Sequence, residues 1–258
     1  MPPVISETRG SIALLTLNSP EQYNALNDAR MGALNEAIDT VHADPQVRCI
    51  VLTGAGKGFC SGAQFGGDVF SSGEGIAASM RQCVSPIVTK LRTGPVPVVT
   101  AINGPAAGAG VGFALAGDIA IAARSARFIL SFARLGAVLD GGTSLLLQRS
   151  IGAARARYLA LTGDQLDAET AAEWGLIWKC VDDAALMDEA MAVARRLADG
   201  PPLALAMIRQ QLDAAWTAPL GDMLDMEAEL QGRAFVTADL REGAAAFVEK
   251  RAPRFNGA

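Results

Sequence analysis

Residues 103–112 read NGPAAGAGVG, four glycines and three alanines with almost no side chain among them. The stretch ends an apolar run, PVVTAING (97–104), and opens GVGFALAGDIAIAA (110–123). A strand, a bare loop and a short buried helix that turns at Gly117 into another strand are therefore expected in succession. A loop this bare lets a ligand reach the main chain, and the candidates are a phosphate or an anion formed during a reaction. A second small-residue loop, GAGKGFCSGAQFGG (54–67), ends another apolar run, VRCIVLTG (47–54). Neither loop has nucleotide spacing. Lys57 is followed by Gly58, and Val51 stands five before Gly56, so a Walker A loop fails at both ends. Gly108, Gly110 and Gly112 are spaced GxGxG, whereas a dinucleotide fingerprint needs GxGxxG. What remains is backbone N–H groups from two loops converging on one oxygen, or small residues that merely allow close helix–strand packing; composition alone weighs the two equally.

The rest of the chain supplies an α/β frame. SIALLTLN (11–18) and ARFIL (126–130) read as further strands, and ARMGALNEAIDTVHAD (29–44) as a helix. From GTSLLLQRSIG onward the texture is helical, and Pro201–Pro202 is the best subdomain boundary, which divides the chain into 1–200 and 201–258. At 258 residues and 50% hydrophobic content the chain can bury a full core without staples. No apolar run approaches the ~20 uninterrupted residues of a membrane helix, and the N-terminus lacks the order of a secretory signal, so no membrane partner and a cytoplasmic location are expected. A net charge of −5 with scattered basic residues gives no footprint for nucleic acid.

Catalytic chemistry by the commonest routes is scarce. There is no GxSxG elbow, and the single histidine, His42, falls at the end of a predicted surface helix, so a serine–histidine pair is not expected. Cys49, Cys60, Cys83 and Cys180 form no CxxC pair and, with one histidine, no metal set; Cys60 lacks a base to make it a nucleophile.

Five stretches, taken in order over nearly the whole chain, resemble the enoyl-CoA hydratase/isomerase, or crotonase, family: LNSPEQYNAL (17–26), GKGFCSGAQF (56–65), INGPAAGAGVGFALAGDIAIAA (102–123), LTGDQLDAETAAEWGLIW (161–178) and REGAAAFVEKRAPRF (241–255). The resemblance implies an α/β spiral of repeated ββα units over 1–200 holding an acyl-CoA site. It also implies a C-terminal helical region, 201–258, that mediates a homotrimer or a dimer of trimers. Coenzyme A would enter as part of the substrate, with no separate cofactor. Carried over, the oxyanion donors are the N–H groups of Ala63 and Ala109; Ala109 stands where many members have a glycine, so its φ must be negative. Substrate contacts fall on Gln22, Tyr23, Ala25, Ser61, Gln64 (where an aspartate is usual), Phe65, Gly108 and Phe132. Phe247 and Lys250 match positions that reach the nucleotide end of coenzyme A, often from a neighbouring subunit.

The family's hydration chemistry uses two glutamates, and the matching positions here are Gly112 and Phe132. Neither carries a proton. Asp140, ahead of Gly141, Gly142 and an apolar helical run, reads from residues alone as a helix N-cap. The resemblance implies instead a catalytic aspartate, as in dienoyl-CoA isomerases and the ring-epoxide isomerases of phenylacetate breakdown, to which AAEWGLIWKCVDD (171–183) is also similar. An isomerase with Asp140 as acid/base is expected; the alternatives are a hydratase or thioester hydrolase using Glu74 or Asp68, or a non-catalytic acyl-CoA binder.

Overall fold

A computed structural model describes residues 2–64 and 72–258. The elements in order are β1 (Val4–Arg9), β2 (Ile12–Leu17), α1 (Asp28–Ala43), β3 (Cys49–Gly54), α2 (Gly73–Ser79), α3 (Ser85–Thr93), β4 (Val98–Ile102), β5 (Ala106–Ala107), α4 (Ala109–Leu115), β6 (Ile119–Ala123), β7 (Arg127–Ile129), α5 (Thr143–Thr162), β8 (Gln165–Asp167), α6 (Ala168–Glu173), β9 (Lys179–Val181), α7 (Leu186–Ala198), α8 (Pro202–Ala214), α9 (Leu220–Phe235) and α10 (Ala238–Glu249). A π-helical stretch, Met80–Val84, joins α2 to α3.

The large sheet runs β1-β2-β3-β4-β6-β9, parallel from β2 onward, and a small sheet runs β5-β7-β8. Central strands read as continuous apolar runs because both faces are covered. Ile12, Leu14, Cys49, Val51, Val99, Ala101, Ile121 and Ala123 face α7, through Leu186, Ala190, Met191 and Ala194. The alternate residues Ala13, Leu15, Ile50, Leu52, Val98 and Ile102 face the main core, with Leu34 and Ile38 of α1 and Val111 and Phe113 of α4. This is the period of two that a strand imposes.

The repeated ββα units are visible in that arrangement. β4, β5 and α4 form one; β6, β7 and α5 form the next. Each adds one strand to the large sheet, one to the small sheet and one helix. Before them β3 leads to Cys60, which bridges Ala106 in the same manner, and on to α2 and α3. The successive winding brings the loops at 55–64 and 103–108 side by side.

The C-terminal helices are tied back in large part by one mostly buried side chain. Arg209 of α8 donates to Asp118 Oδ1 (2.8 Å) and to the carbonyls of Gly94 (2.6 Å), Val96 (3.0 Å), Leu91 (3.1 Å) and Arg92 (2.9 Å), while Asp118 Oδ2 accepts the Val98 N–H (2.7 Å). His42 falls at the end of a helix, as expected. It lies in the last turn of α1, half-buried against Gly94, and burial lowers its pKa.

Candidate active site

The two small-residue loops meet back to back. Gly62 has φ +81°, and a Cβ there would stand 2.7 Å from the Ala107 carbonyl oxygen and 3.4 Å from the Ala109 nitrogen. No side chain fits, and the left-handed φ favours glycine in any case. The loops are stitched by backbone bonds, Ala107 N–H to Cys60 O (2.8 Å) and Phe59 N–H to Pro105 O (3.1 Å). Two asparagines clamp the outer side: Asn24 Nδ2 donates to Gly58 O (2.8 Å), and Asn103 Nδ2 to Gly56 O (3.0 Å).

Each loop ends in an N–H with no partner among the described residues. Ala63 pairs with Leu26 in parallel fashion, so Leu26 bonds to the residues on either side, accepting from Gln64 N–H and donating to Gly62 O. In such a pairing the middle residue's own N–H points the other way. Ala109 is the first residue of α4, whose opening N–H groups have no intrahelical acceptor. The unusual backbone angle there falls on Gly108, at φ +53°, and Ala109 is helical, so an alanine is accommodated.

The residues that carry these two N–H groups border two adjoining cavities, of about 370 Å³ and about 400 Å³. Ala63, Ala109, Ser72, Ile76, Met80 and Asp140 border both. Ser61, Gly108, Phe132, Leu135 and Val138 complete the first; Asn27, Met31, Gln64 and Val84 belong to the second. Asp140 is half-buried, its Oδ1 is enclosed without a hydrogen-bond partner among the described residues, and burial raises its pKa to about 6. It does not cap α5. That role falls on Gly142, in the left-handed region at φ +76°, and no side chain bonds to the helix start, so the N-cap reading is corrected.

The remaining expected residues divide. Ser61, Gln64, Gly108 and Phe132 border the cavities. Gln64 Oε1 accepts from Asn27 Nδ2 (3.1 Å) and Arg30 (3.3 Å), so a neutral carbonyl holds the loop where a carboxylate was the usual occupant. Gln22, Tyr23 and Ala25 act through their backbones and border neither cavity. The Gln22 carbonyl accepts from Ser61 Oγ (3.1 Å), the Tyr23 carbonyl from the Ser61 N–H (2.9 Å) and the Ala25 carbonyl from Arg30 (2.7 Å). Phe247, 85% exposed, and Lys250, the left-handed C-cap of α10, are not brought to the cavities within this chain. Phe65 and Asp68 lie outside the described residues.

Cys60 is fully enclosed, and burial pushes its thiol up to about 12, with the Asp140 charge adding to the effect. It stays a thiol. Glu74 is exposed in the first turn of α2 and borders neither cavity. Ile76 and Met80 also line the cavities, and no motif in the sequence marks either of them. Among the described residues no three His, Cys, Asp or Glu side chains gather as a metal site, and no helix is long and apolar enough to cross a membrane.

Comparison with known proteins agrees with this geometry. The family profile for enoyl-CoA hydratase/isomerase matches residues 7–258. The 1,2-epoxyphenylacetyl-CoA isomerase of Escherichia coli K12 is 44% identical over 257 residues, 98% of each chain. A protein of Rhodobacter capsulatus named a probable enoyl-CoA hydratase is 41% identical, over 97% of this chain and 96% of that one. The crystal structure of an enoyl-CoA hydratase from Polaromonas sp. JS666 superimposes with a TM-score of 0.93 at 33% identity, covering 98% of this chain and 99% of that one.

Proposed function

The chain belongs to the enoyl-CoA hydratase/isomerase family, and we propose that within it this protein is an acyl-CoA isomerase with Asp140 as its single acid/base. One observation carries the reading: Asp140, whose carboxyl has a pKa raised to about 6, borders the same cavities as Ala63 and Ala109, whose N–H groups have no partner among the described residues. The pairing suits proton transfer through an enolate. The Asp140 carboxylate takes a proton from a carbon acidified by the thioester, and the C–H electron pair moves toward the thioester oxygen. The Ala63 and Ala109 N–H groups hold that oxyanion. The carboxyl, now protonated, delivers its proton to a different carbon of the conjugated system, so no water or other co-reactant is consumed. A group with a pKa near neutrality serves both directions of transfer. One preorganised oxyanion donor contributes about 3–4 kcal/mol of barrier lowering.

The positions that would supply the two glutamates of hydration hold Gly112 and Phe132, and Glu74, though its neighbours Gly73 and Gly75 line the cavities, is exposed and borders neither. The apolar lining of Ile76, Met80, Phe132, Leu135 and Val138 suits an alkyl or aryl acyl group, in keeping with the arylacetyl thioester in the name of the E. coli relative. Coenzyme A arrives with the substrate. Phe247 and Lys250, remote from the cavities in their own chain, suit contact with the nucleotide end from a neighbouring copy in a trimer or a dimer of trimers.

Mass spectrometry and chromatography after incubation with enoyl-, dienoyl- and arylacetyl-CoA thioesters test the reading. The expected product has unchanged mass and a moved double bond or an opened ring, absent with Asp140→Asn. A product 18 Da heavier would mean hydration, free coenzyme A would mean hydrolysis, and tight binding without turnover would mean a carrier; each overturns the proposal.

A further inference from the structure

The turn that carries Asp140 lies backbone to backbone on α4. A Cβ built on Gly112 would overlap the Gly141 carbonyl oxygen outright, and would stand 2.8 Å from the carbonyl carbon and 3.0 Å from Gly141 Cα. From the other side, a Cβ on Gly141 would come 3.3 Å from the Ala109 carbonyl oxygen and 3.6 Å from the Cα atoms of Ala109 and Gly112. Ala109 and Gly112 are three residues apart on a helix and so share a face. Gly141 and Gly142 have φ of +57° and +76°, a path that glycine follows without strain. One short helix thus does two things: its first residue, Ala109, borders the cavities with an N–H that has no partner among the described residues, and its side supports the turn bearing Asp140, which borders the same cavities. Gly112 itself borders neither cavity.

We propose that Gly112 is a positioning residue: the missing side chain lets the Asp140 turn rest directly on the α4 backbone and so sets the separation between the Asp140 carboxyl and the Ala109 N–H. The inference rests on the isomerase reading above. A methyl group at 112 forces the turn to retreat by roughly 1 Å, and a displacement of that size costs on the order of 100-fold in rate when it separates catalytic groups. The same view explains why the position holds no acid: the Gly141 carbonyl occupies the space that a longer side chain would need first.

The test compares Gly112→Ala, Gly141→Asn and the control Gly32→Ala, whose added methyl meets nothing within 4 Å. Turnover is followed as a function of pH on whichever thioester the wild type isomerises, with thermal unfolding as a check on folding. Gly112→Ala should lose kcat by about 100-fold with KM changed by less than about 3-fold, since the residue touches no substrate. The acidic limb of kcat, expected near pH 6 in the wild type, should move toward the ordinary carboxylate range as the displaced group gains water. Gly141→Asn requires a retreat of only tenths of an ångström, and asparagine tolerates a left-handed φ, so it should lose about 5- to 10-fold. If Gly112→Ala does not fold, Gly141→Asn decides. Wild-type kcat and an unmoved limb in the folded variant would overturn the inference. Full turnover by Asp140→Asn would instead overturn the isomerase reading, whereas an inactive Asp140→Asn beside a fully active Gly112→Ala removes only the positioning role.

Discussion

Replacing Asp140 with asparagine should abolish isomerisation and, above neutral pH, make the protein more stable. Burial raises the carboxyl from its ordinary 3.8 to about 6. At 1.36 kcal/mol per pH unit that difference amounts to about 3 kcal/mol between the neutral and charged forms. The group faces a cavity open to water, so solvent screening reduces the figure to about 1–2 kcal/mol. The sign follows from linkage: a pKa higher in the folded than in the unfolded chain gives stability that is complete below pH 3.8 and is lost as pH rises through about 6. Asparagine never ionises and loses nothing over that range. The variant should therefore melt with the wild type near pH 4 and about 2–4 °C above it at pH 8, at roughly 2 °C per kcal/mol for a chain of this length. Thermal unfolding of the two proteins side by side across pH 4–8 measures the gap, and effects of other titrating groups cancel in the difference. A gap that does not widen with pH would show that Asp140 is not a strained, desolvated carboxylate. A loss of less than about 100-fold in kcat would count equally against its role as acid/base.

Two further expectations bear on the same cavity. Ala109→Pro removes the N–H of the first helical residue, where proline is tolerated, so the protein should fold, bind thioester and lose about 10²–10³ in kcat; unchanged turnover would refute the donor role. Cys60→Ala should leave kcat and its pH profile intact, and the native wild-type thiol, pushed up to about 12, should resist alkylation at pH 8 until the chain is unfolded; rapid labelling of the folded protein would refute its enclosure.

The parts of the fold that were legible in the sequence are those where one local rule suffices. The stretch 97–123 announced a strand, a bare loop, a buried helix and a strand turning at Gly117, and β4, α4 and β6 follow that order. Long central strands gave themselves away as unbroken apolar runs. β1 did not, because Val4–Arg9 is an edge strand whose SETR half faces solvent. β5, β8 and β9 are two or three residues long, too short for any period to show. At the site, the small residues of both loops pointed to exposed backbone, but the convergence of Ala63 and Ala109 depends on Gly62 packing against residues 107–109, a contact between loops some 45 positions apart. Asp140 shows the limit most clearly. Its position ahead of a helix favours a cap by local statistics, whereas the backbone gives that place to Gly142 and leaves the carboxyl facing the cavity. Gly112 read as a missing acid; only the fold shows that its emptiness is filled by another residue's carbonyl.

An acid with no neighbour keeps what it takes. Oδ1 of Asp140 is enclosed and has no partner among the described residues, so none of those residues relays a proton onward from that oxygen. On the isomerase reading, the hydrogen lifted from one carbon should be the hydrogen set down on the next. A substrate deuterated at the acidified carbon should keep its label in the product, and turnover in heavy water should introduce little. One unpaired oxygen would thereby give the reaction a memory of its own starting material, which a site built around an exchanging water could not have.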